Sequence, residues 1–96
     1  MRFVFESDIR RWSVRTQDWF FAHVPEDLSA DIREMPRAPR GFGSVRVRAR
    51  IGATEWRTSI FPGSDGTYAL PLKKAVRDAE GLEFPGSCVV ELETLD

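Results

Sequence analysis

The sequence predicts an α+β fold, mainly β, in which five or six strands form a small barrel-like sheet and two short helices pack against it. Three observations lead there. Several segments alternate apolar and polar residues with the period of two of a half-buried strand, most clearly Val45-Arg46-Val47-Arg48-Ala49-Arg50-Ile51. Two shorter segments, each preceded by a proline, repeat apolar residues at helical spacing. Turns carrying glycine and proline separate these pieces. With 96 residues the chain has room for about one small core, and residues 1–96 are expected to form a single domain.

Residues 2–9 read as the first strand, with Phe3 and Phe5 on one face and Val4 and Glu6 on the other. Polar residues at 13–17 are expected to turn the chain. Residues 18–24 are apolar on both faces, as in a strand covered on both sides, and are expected to pair with the first strand as a hairpin. Pro25 then suits a first helical position, where its missing N–H costs nothing. Glu26 and Asp27 sit at the favourable end of that helix dipole, and Leu28, Ile32 and Met35 form its apolar stripe. Pro36 and Pro39 end it, and residues 35–43 form a connector rich in Pro, Gly and Arg.

Residues 44–51 are the clearest strand, with Val45, Val47, Ala49 and Ile51 inward. After a turn at 52–54, Trp56, Thr58 and Ile60 alternate with Arg57, Ser59 and Phe61 in a return strand. Residues 62–66 have turn chemistry, and 67–70 form a short strand. Pro71 is read as opening the second helix, with Leu72, Ala75, Val76 and Ala79 facing the core and Lys73, Lys74 and Arg77 facing away. Gly81 suits the left-handed residue that ends a helix. Residues 87–95 form the last strand, with Cys88, Val90 and Leu92 inward and Glu91 and Glu93 outward. The expected core is Phe3, Phe5, Phe21, Val47, Trp56, Ile60, Leu70, Val76, Val90 and Leu92.

Function is bounded mostly by exclusion. One cysteine and one histidine exclude an internal disulfide and a Cys/His zinc site. A hydrolase triad lacks its partners, and no Gly-x-Ser-x-Gly occurs. His23, between Ala22 and Val24 on a strand, reads as structural, and Cys88 as a small core hydrophobe. Gly63-Ser64-Asp65-Gly66 lacks the Gly-Lys-Ser/Thr ending of a phosphate loop and reads as a plain turn. No catalytic residue, cofactor or metal is expected. The uncharged stretches run to seven residues, far short of the about 20 of a membrane span. An acid at Glu6 argues against a signal peptide. A cytoplasmic monomer or weak dimer is the expectation.

Charge supplies the one pattern above background. Residues 33–57 carry seven arginines against two acids, between acidic flanks, although the net charge is −1. Such a middle means either an anionic partner or an internal pairing of oppositely charged strands. Alternation sets Arg46, Arg48 and Arg50 about 6.7 Å apart on one face. Arg57 on the return strand could join them, and Arg37 and Arg40 precede them. An open face of this kind would hold phosphates or an acidic protein; a closed one would be neutralised by Glu91, Glu93 or other acids. Trp12, Trp19 and Trp56 read as core or rim anchors, because the period brings no aromatic onto the arginine face.

The segments Ser44–Ile51 and Glu55–Pro62, the run Gly66-Thr67-Tyr68-Ala69-Leu70-Pro71-Leu72-Lys73-Lys74, and Pro85-Gly86-Ser87-Cys88-Val89-Val90-Glu91-Leu92-Glu93 resemble a prokaryotic family, domain of unknown function nineteen-oh-five. Trp19-Phe20-Phe21-Ala22-His23-Val24-Pro25 fits its aromatic strand followed by Val-Pro. The resemblance implies a small split β-barrel of five to seven strands with two short helices, similar in architecture to the swapped-hairpin barrels of transition-state regulators and antitoxins. It also implies an association with bacteriocin-protection regions, and it carries over no catalytic residues.

Three functions stay open. The first is a non-enzymatic binding or scaffold domain, the second is binding of nucleic acid or another polyanion through Arg46, Arg48, Arg50 and Arg57, and the third is an enzyme with a cleft near Tyr68, Lys73 and Lys74. The absence of a catalytic set favours the first.

Overall fold

Residues 1–36 and 43–95 of the computed structural model are described here. In chain order they form β1 (Arg2–Asp8), β2 (Arg10–Val14), β3 (Gln17–His23), α1 (Glu26–Glu34), β4 (Val45–Ile51), β5 (Thr54–Pro62), β6 (Tyr68–Pro71), α2 (Lys74–Glu80) and β7 (Ser87–Thr94). Among the described residues the strands make one curled antiparallel sheet in the order β1-β7-β4-β5-β6-β3-β2. This is the split barrel expected, an α+β fold that is mainly β. β5 joins its two parts, pairing with β4 over most of its length and with β6 only at Phe61 and Pro62.

The chain order explains the split. β1 and β2 are the two edges of the sheet, yet only Ile9 separates them. At this corner the Ile9 N–H donates to Gly86 O at 2.8 Å, and the His23 N–H donates to Ser7 Oγ at 2.7 Å. One long extended segment thus bends at a buried isoleucine, with its first half on β7 and its second half on β3.

That bend corrects the expected hairpin between the first strand and residues 18–24. β1 pairs with β7, from Arg2 opposite Glu93 to Asp8 opposite Ser87. The hairpin is β2–β3, and residues 13 and 14, read as turn, are still strand. Arg15 takes the left-handed conformation at the tip, with φ 56°. Local polarity misled the reading here: β2 is exposed at every position, so it has no apolar face to announce it.

The core follows the period-two faces closely. Val45, Val47, Ala49 and Ile51 of β4, Trp56 and Ile60 of β5, and Cys88, Val90 and Leu92 of β7 are buried with Phe3 and Phe5 of β1. Phe21 is the exception. Ala22 and Val24 are buried and Phe20 packs against the core, so the opposite face of β3, with Phe21, looks out.

Each helix closes part of the barrel. α1 follows Pro25, carries Glu26 and Asp27 in its first turn, and buries Ile32 with Leu28 packed alongside. Its buried Ser29 tethers two strands: the hydroxyl donates to Val24 O at 3.0 Å and accepts from the Tyr68 N–H at 3.1 Å. α2 starts at Lys74, three residues later than expected, because Pro71 still belongs to β6. Val76 is buried, whereas Ala75 and Ala79 are exposed, so the inward stripe is narrower than the spacing implied. Gly81 ends α2 at φ 63°, as expected, and the Leu82 N–H bonds back to Arg77 O at 2.9 Å. Arg37, Pro39 and Arg40 of the connector lie outside the described residues. No helix among the described residues is long and apolar enough to cross a membrane.

Candidate functional site

Three places on the described surface gather polar chemistry. The first is the arginine face. β4 lies between β7 and β5, so its outward side chains meet those of both neighbours. The register sets Arg2, Glu93, Arg48 and Arg57 in one row across the sheet, and Val4, Glu91, Arg50 and Glu55 in the next. Arg48 Nη1 donates to Glu93 Oε1 at 2.5 Å, with Glu55 Oε2 at 3.9 Å from its Nε. Arg50 bonds Glu91 through both Nε and Nη2. Two of the four candidate arginines are therefore neutralised by the acids of the last strand. Arg46 and Arg57 are exposed and make no ion pair among the described residues, and Arg57 faces Arg48 across the strands. A shallow cavity of about 330 Å³ lies over these rows, lined by Arg2, Arg48, Arg50, Glu55, Glu91 and Glu93, so its walls alternate in sign.

The second place is a cleft at the far end of β3. His23, Asp65 and Thr67 meet there, beside Arg10 and Phe21 in a space of about 240 Å³. Asp65 closes its own turn: its Oδ1 accepts from the Thr67 N–H at 3.0 Å and from the Thr67 hydroxyl at 2.7 Å. The hydroxyl bond above all, with the N–H bond, holds the Asp65 carboxyl below its usual range. Because the Thr67 proton goes to Asp65, the Thr67 oxygen is left to accept, and His23 Nδ1 lies 3.4 Å from it. That arrangement places His23 Nδ1–H to donate to the Thr67 oxygen. The turn reading of residues 63–66 holds, and it orients the sole histidine.

The third place is a groove of about 400 Å³ between β3 and the start of α2. β6 ends at Pro71, and the Leu72 N–H bonds Phe20 O at 2.9 Å. Before Phe20, β3 runs on beside β2 alone among the described residues, so its other side pairs with no strand there. Trp19, Phe20, Pro71 and Leu72 form the apolar walls, and Lys73, Lys74 and Arg77 the basic rim. Arg77 is fixed in place. Its Nε donates to Leu72 O at 3.0 Å, and its guanidinium lies 4.3 Å over the Phe20 ring. Phe20 in turn meets Phe84 at 6.1 Å, and Arg11 lies 4.9 Å over Phe84. Lys74 pairs with Asp78 at 2.7 Å. Asp18, also at the groove, accepts from the Ser13 hydroxyl at 2.5 Å.

Tyr68 and Lys73, proposed from the sequence to share a cleft, part company. Tyr68 is 2 % exposed in the core, and Lys73 stands on the surface at the groove. The sequence does not announce the groove, because its periodicity sets Arg77 on a solvent face and Trp19-Phe20-Phe21 in a covered strand. The signal it does carry is that three consecutive aromatics must place rings on both faces of a strand. Trp56 is in the core, whereas Trp12 and Trp19 are 60 % and 48 % exposed.

Residues 5–92 match the family described as domain of unknown function (DUF1905). The chain belongs to this family. The match spans every element except the first residues of β1 and the last of β7, so the second and third places lie within the matched residues, and the arginine face does too except for Arg2 and Glu93. None of the curated proteins matches the chain.

Proposed function

We propose that this DUF1905 domain is a non-enzymatic binding module whose ligand is a small organic anion with a flat apolar body, held in the groove between β3 and α2. The observation that carries the reading is the groove's composition: apolar walls of Trp19, Phe20, Pro71 and Leu72 under a rim of Lys73, Lys74 and Arg77. A volume of about 400 Å³ with few polar groups is the usual form of a small-molecule site. Arg77 needs no reorganisation to serve, because Phe20 and Leu72 already hold its guanidinium. The rim carries three cations, Lys73, Lys74 and Arg77, against Asp18 in the groove and Asp78 paired to Lys74, so the complementary ligand is negative. Polyanion binding through the arginine rows is the weaker reading, since Glu91 and Glu93 already occupy Arg50 and Arg48.

Anilinonaphthalene sulfonate, an apolar ring system with one sulfonate, tests this by fluorescence titration. One saturable site is expected. Replacing Lys73 and Lys74 by Gln should weaken it about tenfold, as loss of charge-assisted contacts does. The neutral parent N-phenylnaphthylamine should bind the unaltered protein weakly and ignore that change. Replacing Arg46 and Arg57 by Gln should leave binding as it was. Equal affinity for charged and neutral probes, or no saturable site, would overturn the reading.

A further inference from the structure

The open edge of β2 points to a partner, independently of the groove. β2 ends the sheet order, and all five of its residues are exposed. The hydrogen bonds of β3 show which β2 groups are spare. Leu72 N–H bonds Phe20 O, and Val24 N–H bonds Tyr68 O, both at 2.9 Å. In an antiparallel ladder the bonding groups alternate sides, so Phe20 and Ala22 turn toward β6, and Gln17, Trp19 and Phe21 toward β2. Their register partners Val14, Trp12 and Arg10 bond back to β3. Among the described residues the N–H and C=O groups of Arg11 and Ser13 are therefore left on the open edge.

Natural sheets guard such an edge with proline, inward charges, bulges or a covering segment. β2 has no proline, and its cations are occupied elsewhere. Arg10 pairs with Asp8 at 3.5 Å, and Arg11 lies over Phe84. The outward face beside the edge is apolar, with Trp12 opposite Trp19.

We propose that this edge pairs with a second copy of the chain, two β2 strands running antiparallel about a two-fold axis at Trp12. Arg11 of one protomer then faces Ser13 of the partner subunit, and the reverse, which closes four backbone hydrogen bonds with the four spare N–H and C=O pairs. Arg10 faces Val14 of the partner subunit. Trp12 meets its own copy in a close, non-hydrogen-bonded pair, so four indoles line up across one continuous sheet. Charge selects this register. Centring the pair on Arg11 would set two arginines face to face, and centring it on Ser13 would set Arg11 against Arg15 of the partner subunit. A five-residue seam buries less than the about 800 Å² per partner of a standard interface, so the dimer is weak and concentration-dependent.

Sedimentation velocity from about 5 to 500 µM tests this across the affinity range of small interfaces. The mass should rise from 11.0 kDa toward twice that value. Trp12→Lys keeps the backbone and puts like charges on the axis; it should hold the protein monomeric throughout. Ser13→Pro deletes an edge N–H that β3 does not use, and should do the same. Circular dichroism of both variants checks that they fold, and sulfonate binding in the monomeric Trp12→Lys protein keeps this result separate from that of the groove. A wild type that stays at 11.0 kDa throughout overturns the proposal, and so does a folded Trp12→Lys variant that dimerises as the wild type does.

Discussion

The outer surface of the sheet has two halves built on opposite plans. Across β1, β7, β4 and β5 it is a grid of charges, in which Arg48 and Arg50 are met by Glu93 and Glu91. Across β6, β3 and β2 it is aromatic, with Trp12 and Trp19 exposed and, among the described residues, the outer edge of β2 unpaired. The first half is dense in charge, with its central Arg48 and Arg50 paired and Arg46 and Arg57 left over among the described residues; the second is poor in charge and has an unpaired strand edge there. A run of cations in a sequence therefore says little about binding until the neighbouring strands are known. What invites a ligand is surface whose partners are missing, and here that surface lies on the second half.

The contrast can be broken most severely from below. Leu92 is buried under the charge grid on β7, which is flanked by β1 and β4. Leu92→Ala should cost about 2–5 kcal/mol, the usual loss for a buried leucine that leaves a cavity, read as a lower denaturation midpoint. On the aromatic side the key side chain is only half-buried. Arg77→Met removes the guanidinium from the Phe20 ring and its bond to Leu72 O, and should cost about 1–2 kcal/mol while weakening sulfonate binding.

The grid itself should prove nearly indifferent to stability and decisive for charge. Glu91→Gln combined with Glu93→Gln removes two partly exposed ion pairs, each worth about 0.2–1 kcal/mol. It also frees Arg48 and Arg50 beside Arg46 and Arg57. The double variant should then bind oligonucleotides that the wild type ignores, with a log K against log salt slope of about −0.9 for each phosphate contacted. A wild type that binds them equally well would erase the distinction between the halves.

The smallest effect concerns the turn at Asp65. Its carboxyl is held low by the Thr67 hydroxyl, so that stabilisation is present above the unfolded carboxyl value and lost as pH falls through the folded one. Thr67→Val should move the Asp65 titration up toward the ordinary range, read by carboxyl carbon NMR. The thiol of Cys88 runs the other way. Burial first, and then the charge of Asp8, push it up, so it should react slowly with a thiol reagent until the protein unfolds.

Legibility followed the same division. On β4 and β7 one face is buried and the other wet, so alternation reveals the strands and their inward residues, from Val45 to Leu92. The acids that neutralise Arg48 and Arg50 were also visible as Glu91 and Glu93, though nothing local could say that β7 would lie beside β4. β2 and β3 resisted because neither has that asymmetry. Arg10-Arg11-Trp12-Ser13-Val14 is wet on both sides, and Trp19-Phe20-Phe21 is aromatic on both, so period two carries no sign of which face is in. Phe21 was misplaced for that reason. The groove depends on where β6 stops and α2 starts, and Pro71 fits either end of that boundary.

The pairing of β1 with β7 bears on how the chain acquires its shape. The amino group of Met1 donates to Thr94 Oγ1 at 3.1 Å across 93 positions of sequence, and Phe3 lies opposite Leu92. During synthesis β2–β3 and β4–β5 can zip as soon as they emerge, because each is a local hairpin. β1 is made first and waits longest, holding Phe3 and Phe5 bare until β7 arrives. Such distant closure belongs with the slow β topologies that fold over about milliseconds to seconds. Of the strands in this domain, the first to be made is thus the last to find its mate, and for that interval its phenylalanines are what a chaperone would grip.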